Sequence, residues 1–115
     1  LADAPTRVSQ SGRARVRFLA NTDVGAKNAF LAILEMNASA EVPEHRDATE
    51  EYLYLLEGGG EITIDGKTAT IKAGDAVFMP ANALVSFQAD DTPLMAVQVF
   101  AGPEPARKYD SWRSE

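Results

Sequence analysis

Short apolar runs separated by glycine and proline are the feature that most limits how this chain can fold. From Arg15 onward, eight such runs follow one another at close spacing. They cover residues 16–20, 29–36, 52–56, 62–64, 68–71, 76–79, 84–89 and 94–100. Runs of this length with turn signals between them are typical of a β-sandwich or β-barrel. We therefore predict an all-β fold in one domain, since 115 residues are too few for two ordinary domains.

A helical alternative applies only to residues 23–34. Elsewhere no stretch sustains a 3.6-residue periodicity, and glycine and proline interrupt the chain too often for long helices. For residues 23–34 we favour a turn followed by a strand.

Asp65-Gly66 predicts a two-residue hairpin turn, because both residues tolerate a positive φ. Pairing outward from this turn places Thr63 opposite Thr68 on one face of the hairpin. The other face, which we expect to be buried, carries Ile62, Ile64, Ala69 and Ile71.

The run at residues 51–57 is apolar on both faces, which is unusual for the wall of a single barrel. Alternation places Leu53 and Leu55 on one face. The opposite face carries Tyr52, Tyr54 and Leu56. One face belongs to the core, so the other must meet a further element or a second subunit. From this pattern we predict a homodimer.

The two ends of the chain lack the strand pattern. Residues 1–13 predict an N-terminal arm, residues 14–101 the barrel, and residues 102–115 an extended C-terminal tail. Tyr109 and Trp112 in the tail are expected to anchor it onto the body. The sequence begins at Leu1, and Ala2-Asp3-Ala4 has the small-x-small form of a signal-peptidase site. The sequence is compatible with a cytoplasmic and with an exported protein.

Charge and composition exclude several classes of function. The net charge of −6 repels nucleic acid and anionic lipid, and Arg13, Arg15 and Arg17 alternate as on a solvated strand face. The absence of cysteine excludes disulfides and thiolate metal sites. No apolar run approaches the ~20 residues of a membrane helix. We expect a soluble protein whose partners do not include nucleic acid or membrane.

Two stretches resemble the sequence motifs of the cupin family. Residues 45–51 (HRDATEE), followed by Gly58, resemble the first motif, and residues 74–80 (GDAVFMP) resemble the second. The resemblance covers residues 14–101 and implies a cupin-like barrel, the jelly roll or double-stranded β-helix. The glycine that the family places after Pro80 falls on Asn82, which can also adopt a positive φ.

The resemblance also implies a metal site, in a depleted form. Cupins hold a divalent metal with two histidines and a glutamate of the first motif and a histidine of the second. These positions fall on His45, Asp47, Glu51 and Val85. The implied ligands are therefore His45, Asp47 and Glu51, and the implied cofactor is one divalent ion such as Mn or Fe, weakly held or absent.

The residue types allow three interpretations of this site. His45 and Asp47 lie two apart on an extended segment and project to the same side, where Glu51 can join them. One imidazole and two carboxylates favour Mn, Fe(II) or Mg over copper. Without metal, the same groups could carry out acid/base chemistry. The third interpretation is an ordinary exposed acidic loop with one histidine.

An apolar pocket is predicted next to these residues. Val85 and Phe87 share a strand face, and an apolar side chain at residue 85 suits a small apolar or mixed ligand in the barrel mouth. Further candidates to line the pocket are Tyr54, Met79 and Gln98. We therefore predict a binding or structural module, non-catalytic or small-molecule-binding, with a depleted metal site. The alternative is a metal-dependent enzyme, as the resemblance to cupin dioxygenases and isomerases implies.

Overall fold

The computed structural model describes residues 5–9, 11–20, 27–102 and 104–114. Within these residues the strands are β1 (Thr6–Val8), β2 (Ala14–Ala20), β3 (Phe30–Met36), β4 (Glu41–His45), β5 (Glu51–Glu57), β6 (Gly59–Ile64), β7 (Lys67–Lys72), β8 (Ala76–Met79), β9 (Val85–Ala89), β10 (Leu94–Phe100) and β11 (Arg113–Ser114). A 3₁₀ helix (Glu104–Ser111) lies between β10 and β11. No described helix has the length and apolar character needed to cross a membrane.

The strands form two antiparallel sheets. The larger sheet has the order β11-β1-β2-β3-β10-β5-β8, and the smaller has the order β4-β9-β6-β7. The main hydrophobic core joins both sheets, with Met36, Leu55 and Leu94 from the larger and Ile62 and Phe87 from the smaller. This arrangement confirms the predicted all-β jelly-roll barrel, and each of the eight predicted runs overlaps a strand.

The Asp65-Gly66 hairpin has the predicted register. Both turn residues have positive φ, 49° and 82°, and Thr63 pairs with Thr68 through hydroxyl groups 2.8 Å apart. On the other face, Ile62 and Ile71 are buried and Ile64 is half-buried. Ala69 is exposed, contrary to prediction, because β7 is the outermost strand of its sheet.

Three described strands, β1, β4 and β11, were not predicted. β4 is polar and contains Pro43, which an edge strand tolerates because one side of its backbone needs no partner. β1 lies in the predicted N-terminal arm and pairs with both β2 and β11. Within the segment considered as a helix, residues 23–26 lie outside the described residues, and a strand begins at Phe30.

The C-terminal segment is folded and packs onto the larger sheet, whereas an extended tail was predicted. Tyr109 is 4% exposed and packs with Phe18 and Phe30 in a second hydrophobic cluster. The Trp112 ring meets the Tyr109 ring edge to face, at 4.8 Å between centroids. Burial of these rings favours a compact 3₁₀ turn over an extended chain. Both residues anchor the segment, as expected.

Candidate metal and ligand site

A cavity of about 490 Å³ lies between the two sheets. Most of its wall is apolar and comes from core strands. Of the predicted pocket residues, Met79, Val85, Phe87 and Gln98 all line it. The predicted ligands His45, Asp47 and Glu51 line it as well. The structure therefore places seven of the eight predicted site residues around one cavity.

Tyr54 is the exception. Its side chain is 49% exposed and lies with Tyr52 and Phe78 around a shallow depression on the outer face of the larger sheet. Leu53, the next residue along β5, lines the cavity instead. Alternation along the strand separates the two faces, and contacts with the second sheet decide which face is internal.

His45, Asp47 and Glu51 come together where the chain crosses from one sheet to the other. His45 ends β4 in the smaller sheet, and Glu51 begins β5 in the larger sheet. One potential ligand atom from each of the three residues lies within 4.8 Å of the others. The backbone N–H of Asn82 donates to the carbonyl of Asp47 and holds this crossing in place. Asn82 has a φ of 63°, so it adopts the positive φ expected at this position.

The His45 ring is oriented by a backbone carbonyl. Nδ1 lies 2.9 Å from the Pro43 oxygen, and a carbonyl can only accept, so Nδ1 carries the proton. Nε2 then faces Asp47 Oδ2 at 3.4 Å. The hydrogen bond to Asp47 raises the pKa of His45, although partial burial opposes this shift. An imidazole held through Nδ1–H presents Nε2 as a metal donor.

Asp47 interacts with a cation that comes from the C-terminal segment. Lys108 Nζ lies 2.6 Å from Asp47 Oδ1. Burial alone would raise the pKa of Asp47, but hydrogen bonds from His45 and Lys108 outweigh it and lower the pKa. The carboxylate is therefore held in its charged form.

Glu51 is the most buried acid of the site, at 8% exposure. Gln98 Nε2 donates to Glu51 Oε2 at 2.9 Å, and the Tyr109 hydroxyl donates to Gln98 Oε1 at 3.2 Å. Burial raises the pKa of Glu51 above its usual value, and the hydrogen bond from Gln98 offsets only part of that effect. Burial also raises the pKa of Tyr109, so its hydroxyl stays protonated and donates.

Val85 occupies the position where the cupin resemblance places a further histidine. It pairs with His45 across β4 and β9 and is 7% exposed in the cavity wall. The site thus has three potential ligands and an apolar wall beside them.

Sequence reasoning missed Lys108 as a site residue. Nothing in the local pattern of residues 104–111 marks this lysine, because its partner Asp47 lies 61 positions earlier in the chain. Tyr109 was expected to anchor the tail, and it also extends the hydrogen-bond chain that ends at Glu51.

We expect Glu51→Gln to stabilise the metal-free protein at neutral pH. A carboxyl group whose pKa rises on folding binds its proton more tightly in the folded state, so its favourable contribution is lost as pH rises from the usual pKa through the raised one. Glutamine keeps an oxygen for Gln98 and carries no charge. The gain in free energy of unfolding should be smallest at acid pH and should grow as the pH rises through the raised pKa, as measured by urea denaturation in EDTA.

Glu44→Gln is the matched control, because Glu44 is exposed on β4 and also loses one negative charge. A Glu51→Gln protein that is less stable than wild type at pH 8 would show that the buried carboxylate is well compensated in the folded state.

Comparisons with known proteins agree with this architecture. Residues 32–100 match the family model described as "Cupin domain". The dimethylsulfoniopropionate lyase DddW of Ruegeria pomeroyi is 36% identical over 73 residues, which are 63% of this chain and 48% of the lyase. This chain therefore spans about half the length of that relative.

Two solved structures have the same fold. An RmlC-like cupin from Shewanella frigidimarina superposes with a TM-score of 0.75 at 18% identity, covering 89% of this chain and 86% of the other. The polyketide cyclase RemF from Streptomyces resistomycificus superposes with a TM-score of 0.74 at 22% identity, covering 86% and 74% of the two chains. At these identities the likeness concerns the fold alone.

Proposed function

Because the chain belongs to the cupin domain family, we propose that it binds one small, largely apolar molecule between its two sheets, next to a divalent metal ion held by His45, Asp47 and Glu51. The observation that carries this proposal is the cavity of about 490 Å³ in which an apolar wall meets the three-residue cluster. Cavities of this size and composition are typical of small-ligand sites.

The three side chains fit a hard divalent ion. The donors are one imidazole nitrogen and carboxylate oxygens, and they already lie within 4.8 Å of one another. This set favours Mn²⁺ or Fe²⁺ over copper. A bound ion would act as a Lewis acid on an oxygen of the ligand. Val85 supplies no donor, so we expect weaker binding than in a site with a further histidine.

Metal uptake tests the ligand assignment with one variant that should bind metal more weakly and one that should bind it more tightly. We expect wild type to bind one Mn²⁺ in calorimetry, and His45→Ala to weaken binding by about tenfold or more, or 1.4 kcal/mol. Val85→His should tighten it by a similar factor, because residue 85 lies opposite His45 and lines the cavity. Glu44→Gln, outside the cluster, should bind as wild type does. Unchanged affinity in His45→Ala would contradict the assignment.

Enzymatic activity is the second candidate, and the state of Glu51 favours it. This carboxyl group is buried, and burial raises its pKa above the usual value, which makes it a stronger base than an exposed carboxylate. The relative from Ruegeria pomeroyi is a lyase by name. In this alternative the cluster holds no metal, and the Glu51 carboxylate removes a proton from a carbon next to a carbonyl group of a small substrate.

Hydrogen exchange in the substrate separates the two candidates. If the protein is an enzyme of this kind, a panel of small ketones and keto acids should include a compound that gains deuterium at the α-carbon in D₂O, as followed by NMR in EDTA. Glu51→Gln should abolish that gain. If compounds bind, as seen by line broadening, and none exchanges, the binding module is supported.

We also propose that the outer face of β5 and β8 forms a homodimer interface. Tyr52, Tyr54, Leu56 and Phe78 are each at least 40% exposed there. The Tyr52 and Phe78 rings contact each other in a tilted arrangement, with 5.4 Å between their centroids. Large apolar side chains exposed in one patch are typical of an interaction surface, and a second copy presents the same patch.

Light scattering at micromolar concentration tests this surface. We expect twice the chain mass for wild type and the monomer mass for Phe78→Glu, because a buried unpaired carboxylate is costly at an interface. Thr70→Glu, on the exposed β7 of the other sheet, should remain dimeric. A monomeric wild type would rule the interface out.

A further inference from the structure

Both oxygens of the Asp47 carboxylate already interact with groups of this chain. Oδ2 faces His45 Nε2 at 3.4 Å, and Oδ1 lies 2.6 Å from Lys108 Nζ. The Asp47 side chain is only 13% exposed, so water cannot easily replace either partner. A metal ion that takes Oδ1 must therefore displace the ammonium group of Lys108.

A divalent ion that binds Oδ2 beside His45 would also lie near the ammonium group of Lys108, which contacts the other oxygen of the same carboxylate. An ammonium group within contact distance of the same carboxylate would lie only a few ångströms from the ion, where like charges repel strongly in a partly buried site. The positive charge of Lys108 therefore stands where the metal charge would be. Each of the two charges therefore weakens the binding of the other.

The position of Lys108 ties this competition to the C-terminal segment. Lys108, Tyr109 and Trp112 all come from residues 104–114 and all line the cavity. Lys108 also lies over the Phe100 ring, 5.2 Å from its centroid. The Asp47 pair and the burial of Tyr109 are thus two attachments of the same segment to the barrel.

We propose that Lys108 is a built-in competitor for the metal ion, and that metal binding at His45, Asp47 and Glu51 loosens the C-terminal segment from the cavity wall. This inference rests on the proposed metal site. Coupling between two binding events is reciprocal, so if docked Lys108 weakens metal binding by some factor, the metal weakens the docking of Lys108 by the same factor.

Calorimetry with Mn²⁺ measures the first half of this coupling. We expect Lys108→Met to bind Mn²⁺ about tenfold more tightly than wild type, within the range usual for coupled sites. Lys108→Arg keeps the charge and should remain close to wild type. Lys72→Met is the matched control, because Lys72 also pairs with an aspartate, Asp75, at 3.5 Å, but stands exposed and away from the cavity.

The sole tryptophan, Trp112, measures the second half. We expect Zn²⁺, which does not itself quench indole as a paramagnetic ion would, to increase acrylamide quenching of Trp112 in wild type. In Lys108→Met, the quenching should no longer depend on Zn²⁺. Loss of fold in this variant would be visible by circular dichroism, and in that event Lys108→Gln takes its place.

The outcomes distinguish this inference from the function on which it rests. If wild type and Lys108→Met bind Mn²⁺ with equal affinity, Lys108 is not a competitor. The proposed metal site is then supported and the proposed competition is rejected. If neither protein binds Mn²⁺ or Zn²⁺, the proposed metal site fails, and the competition fails with it.

Discussion

Burial of carboxylates in an apolar cavity is the constraint on which the site depends. Removing a charged group from water is costly unless opposite charge or hydrogen bonds compensate for it. Asp47 has two cationic or polar partners, His45 and Lys108, and its pKa is lowered. Glu51 has the neutral amide of Gln98 as its described hydrogen-bond partner, and its pKa is raised. The charge balance of the cavity is therefore incomplete at Glu51, where a cation or a proton would complete it.

The fold creates this situation through a single chain crossing. His45 belongs to the smaller sheet and Glu51 to the larger sheet, so the two groups meet only when the sheets face each other. The hydrophobic core that joins the sheets thus also fixes the distance between the potential ligands. A substitution that loosens the core would therefore move the site residues apart, even though none of them is itself substituted.

The sequence allowed prediction of those features that depend on local pattern. The Asp65-Gly66 turn set the register of its hairpin, and alternation separated Leu53 from Tyr54. The family motifs indicated His45, Asp47 and Glu51, which the structure brings together. The features that local pattern could not predict depend on pairing with distant segments. Whether Tyr54 faces the cavity depends on the second sheet, and the role of Lys108 depends on a residue 61 positions away.

Val85 and Lys108 together indicate how this site differs from one with four protein ligands. An apolar side chain at residue 85 removes a donor and also lowers the local polarity, which strengthens every charge interaction that remains. Lys108 then contributes a fixed positive charge where a metal would otherwise be needed to stabilise Asp47. A barrel with this pair of residues keeps the Asp47 carboxylate in its charged form without a metal. Under the proposed competition, a metal ion would be gained only at the expense of a contact made by the C-terminal segment.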